Sequence, residues 1–127
     1  MDKPFADPAI RVVLMPKDTN AHGTIFGGVI LSYIDIAAAI EARKHTPKKI
    51  VTKAMHEVVF VAPVFVGDIV SFYTELVRIG RTSITIKVLV EADRIKQPQE
   101  CARVTEAEVV YVAVDDNRRP VPIRDPE

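Results

Sequence analysis

Hydrophobic and polar positions along the chain follow two different periods. From Thr82 to Ala92 (TSITIKVLVEA), Ile84, Ile86, Val88 and Val90 alternate with Thr85, Lys87, Leu89 and Glu91. A period of two predicts a strand with one face against a core. Residues 68–79 (DIVSFYTELVRI) and 101–114 (CARVTEAEVVYVAV) are equally rich in β-branched and aromatic side chains and predict two more strands. Residues 50–66 are apolar but contain Pro63, which cannot donate to a ladder and so predicts a bend or an edge position. Residues 9–15 (AIRVVLM) read as a short first strand that stops at Pro16, and the turn formers of residues 16–25 (PKDTNAHGTI) read as a loop.

The other period is helical. After Gly27-Gly28 comes VILSYIDIAAAIEARK, free of proline and followed by His45, Thr46 and Pro47, which predicts a helix over about 28–44. Arg43 and Lys44 suit the negative end of its dipole. Apolar residues from Val29 to Ala42 cover nearly the whole circumference, so this helix must be enclosed by other structure. Gly67-Asp68 and Gly80-Arg81 read as tight connections between adjacent strands. The prediction is an α+β fold, with a curved antiparallel sheet wrapped around one long central α-helix. Five strands cannot surround a helix completely, and dimerisation is the natural remedy. Residues 115–127 (DDNRRPVPIRDPE) are expected to be extended and partly loose.

At 127 residues the chain fits one domain, residues 1–127. Seventeen basic residues balance seventeen acidic ones, which removes the electrostatic footprint of a nucleic-acid or anionic-membrane binder. The N-terminal MDKPFADP lacks the apolar stretch of a signal peptide, and no apolar run approaches the ~20 residues of a membrane span. The expected location is cytoplasmic. The single cysteine, Cys101, cannot form an internal disulfide and is expected to be a buried, inert thiol in a strand. His22, His45 and His56 match no zinc spacing, so no metal is expected.

Against this background Asp35 is costly. Aspartate is a poor helix residue and expensive to bury without partners, and its helical neighbours Leu31, Ile34, Ala38 and Ala39 offer none. One reading puts Asp35 on a solvent-facing stripe with Ser32 and Glu41; the other makes it a reactive group. The Phe26-Gly27-Gly28 lead-in bears on the second, because glycines at a helix start let a ligand oxygen approach exposed N–H groups that can polarise a carbonyl. Close packing against a strand is the structural alternative for the glycines. Asp35 lies about two turns, roughly 10 Å, along the axis from that start, so spacing alone does not put both groups on one carbonyl.

Residues 15–40 (MPKDTNAHGTIFGGVILSYIDIAAAI) resemble the loop and central helix of the hot-dog-fold acyl-CoA thioesterases. Within that family the similarity is to the bacterial short- and medium-chain acyl-CoA hydrolases and the mammalian cytosolic acyl-CoA hydrolases. Residues 56–70 (HEVVFVAPVFVGDIV) and 81–88 (RTSITIKV) resemble the second and fourth strands of the family, and the likeness covers about residues 10–123. The resemblance implies hydrolysis of acyl-CoA to free fatty acid and CoA. It implies Asp35 as general base or nucleophile, Asn20 orienting water or thioester, and Gly28, with Gly27, offering N–H groups to the developing oxyanion. It further implies that Asn20 and Asp35 meet across the interface of a homodimer, with three dimers assembling into a hexamer. No cofactor is expected, coenzyme A being part of substrate and product. No nucleophile-elbow G-x-S-x-G occurs in the chain.

The remaining candidates are weaker. His22 stands in the loop where it can touch a substrate or simply pack the loop; His45 reads as a helix-end residue, and His56 as a supporting group near the cleft. Arg78, Arg81 and Lys53, with Thr82 and Ser83, are candidates for the coenzyme A phosphates, although single basic residues are more often solvated surface. The resemblance puts pantetheine and nucleotide beside Gly80 to Ser83. Phe26, Phe60, Phe65 and Tyr33 stand as acyl-pocket or core residues. Two other functions compete: a hot-dog hydratase or dehydratase working by proton transfer at carbon, and a non-catalytic acyl-CoA sensor.

Overall fold

The computed structural model describes residues 7–95 and 100–125. The elements are β1 (Ile10–Val13), α1 (Gly27–Ala42), β2 (Lys49–His56), β3 (Ile69–Ile79), β4 (Ser83–Asp93) and β5 (Cys101–Val114), with a short 3-10 turn at Pro16–Asp18. The five strands form one antiparallel sheet in the order β1-β3-β4-β5-β2. One extra residue interrupts the ladder at Lys53 in β2, at Val77 in β3 and at Val104 in β5. Such bulges bend strands and sharpen their twist. The sheet curls into a half-barrel, and α1 lies against β3, β4 and β5.

The predicted α+β architecture and the two periods are as expected. The inward side of β4 (Ile84, Ile86, Val88, Val90) is fully buried and faces Ile30, Ile34, Ala37 and Ala38 of α1. The helix stops at Ala42 instead of Lys44, because Lys44 and His45 donate to carbonyls three residues back and tighten the last turn. The side of α1 turned away from the sheet is left open: Gly28, Ser32, Ile36 and Ile40 are all exposed, the two isoleucines by 51% and 41%.

Four expectations are corrected. Gly67-Asp68 does not join adjacent strands, since β2 pairs with β5 at one edge while β3 sits next to the other edge. Residues 57–68, with Pro63 among them, are not strand; they cross from one side of the sheet to the other, tied by Val61 N–H to Val104 O and by the Thr105 hydroxyl to Val59 O. At the end of this crossing Gly67 has φ +89, and the buried Asp68 carboxylate accepts from Phe65 N–H and pairs with Arg94. The tail is not loose over residues 115–125. It turns at Asp115–Arg119 and runs back with Val121 N–H on Ala113 O and Ile123 N–H on Arg81 O, so that Ile123 is completely buried. Its polar composition concealed an apolar pair two residues apart, Val121 and Ile123. Cys101, finally, is exposed at the first position of β5, not buried.

Candidate active site

Asp35 projects from the middle of α1 and is half-buried. Its carboxylate is held by two hydroxyls from the sheet. Tyr111 donates to Oδ1 at 2.7 Å and also lies 2.6 Å from the Asp35 main-chain carbonyl oxygen. The Thr52 hydroxyl reaches Oδ1 at 2.9 Å and Oδ2 at 3.2 Å. Thr52 and Tyr111 are register partners across β2 and β5, which is why their hydroxyls emerge side by side beneath the helix. Burial first, and then the neighbouring Asp35 carboxylate, push the Tyr111 phenol well above its ordinary range, so it stays protonated and acts as a donor.

The solvent-facing stripe is ruled out. Ser32 is exposed and donates to Val29 O, whereas Glu41 faces the sheet and takes hydrogen bonds from Thr74 at 3.1 Å and Lys44 at 3.4 Å, with His45 Nε2 at 2.9 Å. Burial alone would raise the Glu41 carboxyl, but these hydrogen bonds and the Lys44 charge outweigh it and hold the group below its ordinary value.

Sequence reasoning missed Thr52 and Tyr111 because it looked for partners only at helical spacing. They lie 17 and 76 residues from Asp35 along the chain. A usable signal was present: Tyr111 sits between Val109 and Ala113 at period two, a hydroxyl on an otherwise apolar inward face.

The loop before the helix is organised around Asn20. Its Oδ1 accepts from His22 N–H at 2.8 Å and Thr24 N–H at 3.2 Å, and its Nδ2 donates to the Thr24 hydroxyl at 2.9 Å. Among the described residues no hydrogen bond joins Asn20 to Asp35; the Asn20 side chain is engaged within its own loop. At the helix start Phe26 adopts an extended conformation with no side-chain cap. A Cβ on Gly27 would meet the Phe60 ring at 3.7 Å, ordinary van der Waals contact, while one on Gly28 would meet nothing within 4 Å. Packing inside the chain therefore does not require glycine at 28, and the surface there is open to an external group.

The other candidates divide. Arg78 and Arg81 are exposed, and Thr82 and Ser83 half-buried, at the β3–β4 turn; Ser83 pairs with Val112, one register step from the Ile84–Tyr111 pair. The turn thus lies at the same end of the sheet as the hydroxyls on Asp35. Lys53 is exposed on the β2 bulge next to Thr52. Phe26, Phe60 and His22 are exposed near the helix start and loop. Tyr33 packs on Phe72 with ring centroids 5.6 Å apart and belongs to the core, and Phe65 lies under the Arg94 guanidinium, 4.9 Å from its ring centroid. His56 lines a cavity of about 500 Å³ with Glu57, Lys87, Glu106, Ala107 and Glu108, away from Asp35. Among the described residues no cluster of His, Cys, Asp or Glu is arranged to hold a metal ion, and no helix is long and apolar enough to cross a membrane.

Comparison with known proteins gives the class. The family model of the thioesterase superfamily matches residues 22–99. The chain is 38% identical to the acyl-CoA thioester hydrolase YciA of Salmonella typhimurium over 122 residues, 94% of this chain and 92% of that protein. The crystal structure of a hexameric hotdog fold thioesterase of Campylobacter jejuni superposes with a TM-score of 0.89 at 45% identity, covering 96% of this chain and 93% of that one. A hexameric broad specificity acyl-coenzyme A thioesterase, solved as an Asp-to-Ala variant, superposes with a TM-score of 0.87 at 39% identity, covering 92% and 86%. The chain belongs to the thioesterase superfamily, and its curled sheet around one helix is the hot-dog fold.

Proposed function

We propose that this protein hydrolyses acyl-CoA thioesters to a carboxylic acid and coenzyme A, with Asp35 as the reacting carboxylate. The observation that carries the reading is the half-buried Asp35 carboxylate, fixed by Thr52 and Tyr111 on a helix whose start is open at Gly28. As general base, Asp35 takes a proton from water while the water oxygen bonds to the thioester carbon. The carbonyl oxygen carries the developing charge at the Gly28 N–H, with Gly27 beside it. Collapse breaks the C–S bond, and the proton passes to the departing thiolate. As nucleophile, the same carboxylate bonds to the thioester carbon and the C–S bond breaks, releasing the coenzyme A thiolate, which takes a proton from water. A second water opens the mixed anhydride to free acid and Asp35. Either route runs without a metal or cofactor.

Asn20 completes the site from a second copy of the chain, orienting water or thioester. Support comes from the open apolar side of α1 and from the absence of any hydrogen bond between Asn20 and Asp35 among the described residues of one chain. The hexameric state of the structural neighbours extends this to a trimer of dimers. The β3–β4 turn, with Arg78, Arg81, Thr82 and Ser83, offers charge and hydroxyls to the coenzyme A phosphates at the Asp35 end of the sheet. Phe26 and Phe60 line the acyl side, with His22 at the margin. A soluble acyl-CoA substrate goes with a cytoplasmic location.

The hydratase reading requires a proton relay at carbon, for which an Asp–His pair is the usual device; the groups bonded to Asp35 are threonine and tyrosine hydroxyls. The test is release of free thiol from a series of acyl-CoA esters of increasing chain length, with and without Asp35→Ala. Thiol release that vanishes in the variant is the expected result. Normal turnover by Asp35→Ala, or a hydrated acyl-CoA without free thiol, would defeat the proposal.

A further inference from the structure

We infer that Tyr111 is a positioning residue that fixes which oxygen of Asp35 reacts. The inference rests on Asp35 being the reacting carboxylate. Oδ1 is occupied by two hydroxyls, Tyr111 at 2.7 Å and Thr52 at 2.9 Å, whereas Oδ2 has only the longer 3.2 Å approach of the same Thr52 hydroxyl. A hydroxyl has one proton to give. Thr52 spends its proton on the nearer oxygen, so Oδ2 keeps its lone pairs for a water proton or for the thioester carbon. When Oδ2 takes that proton, Oδ1 keeps both hydrogen bonds and the carboxyl plane does not turn.

Tyr111 is suited to this role in a way Thr52 is not. Its ring is buried between β4 and β2, paired with Ile84 on one side and Thr52 on the other, so the hydroxyl has no freedom to wander. It also lies 2.6 Å from the Asp35 carbonyl oxygen. Its single proton is directed to the carboxylate oxygen, the stronger acceptor, and is shared with the carbonyl oxygen, so the phenol contacts side chain and helix backbone of the same residue and fixes the rotamer against the sheet. Phenylalanine would fill the same volume and fold the same core while losing only this fixation, which separates positioning from packing.

The experiment is steady-state kinetics of Tyr111→Phe and Asp35→Asn, singly and combined, on one acyl-CoA ester, with thermal melting and oligomeric state measured alongside. Misplacement of a catalytic group by about 1 Å costs on the order of 100-fold in rate. Tyr111→Phe is expected to lower kcat by at least about tenfold with KM within about twofold. On the Asp35→Asn background it should cause no further loss, because nothing remains to be positioned. An unchanged kcat in Tyr111→Phe, or a loss that repeats in full on the Asp35→Asn background, overturns the inference. Full activity in Asp35→Asn instead overturns the reading of Asp35 itself, so the two failures are distinguishable. If Tyr111→Phe does not assemble, 3-fluorotyrosine at position 111 keeps ring and hydroxyl while altering the hydrogen-bond strength. A change in kcat without a change in KM then supports the role, and an unchanged kcat overturns it.

Discussion

Replacing Ile123 by alanine tests whether the C-terminal segment is part of the core or a loose end. Ile123 is 0% exposed and belongs to the main hydrophobic cluster. The hydrogen bonds that dock this segment are made by its main chain: Ile123 N–H to Arg81 O, Val121 N–H to Ala113 O, and the Thr46 hydroxyl to Ile123 O at 2.6 Å. Alanine keeps all three, so the loss is confined to the buried hydrocarbon and the cavity it leaves. Substitutions of this kind cost about 2–5 kcal/mol. For a chain of this size each kcal/mol lowers Tm by roughly 3–5 °C, so a drop on the order of 10 °C is expected. Melting should be followed by circular dichroism at one fixed protomer concentration, because association adds its own stabilisation. Arg124→Ala, next door and exposed, serves as the control and should stay within about 0.5 kcal/mol of the parent. If Ile123→Ala melted together with Arg124→Ala, the docked tail would be refuted. Because Ile123 N–H holds Arg81 O, the variant should also raise KM for acyl-CoA if the β3–β4 turn receives the nucleotide.

Four further outcomes follow from the same geometry. Arg94→Met leaves the buried Asp68 carboxylate, among the described residues, with Phe65 N–H alone and should cost about 3–5 kcal/mol in urea unfolding, most of it recovered by adding Asp68→Asn. The Glu41 carboxyl titrates below its ordinary value in the folded chain, so its contribution to stability is present above the unfolded value of 4.5 and disappears as pH falls through the folded one; the parent's advantage over Glu41→Gln should shrink below about pH 4.5 in pH-dependent melts. A Cβ at position 28 meets nothing within 4 Å inside its own chain, so far-UV circular dichroism of Gly28→Val should be unchanged while thiol release falls at least about tenfold if the Gly28 N–H receives the oxyanion. Mixing inactive Asp35→Ala with inactive Asn20→Ala, then dissociating and reassembling them, should restore about a quarter of the sites if each site draws on two chains of a symmetric dimer, and none if each site lies within one chain.

Much of the fold was legible because period two and helical period are local properties. The inward stripe of β4 and the helix that packs on it were readable from a dozen residues each. The pairing order was not. Nothing near Lys49–His56 indicates that β2 skips its neighbour in sequence and pairs with β5; that choice is made by the crossing at residues 57–68, whose apolar Val58–Val61 resembles strand in composition. The reactive candidate itself was visible as an unpartnered charge in an apolar helix. Its supporting hydroxyls were not, because threonine and tyrosine are common strand residues and only the register between β2 and β5 turns these two toward one carboxylate.

That skipped pairing also sets the order in which the protein can be completed. The β3–β4 hairpin is local and can close as soon as it is made, but β2 must wait, unpaired, until β5 has been synthesised and aligned. Until then Thr52 has no Tyr111 beside it, and Asp35 has at most one of its two restraints. A chain ending before residue 111 lacks Tyr111 and most of the β5 partner of β2, and so lacks the pair of sheet hydroxyls on Asp35. If Asp35 is the reacting carboxylate, its pair of restraining hydroxyls is complete only once β5 lies beside β2.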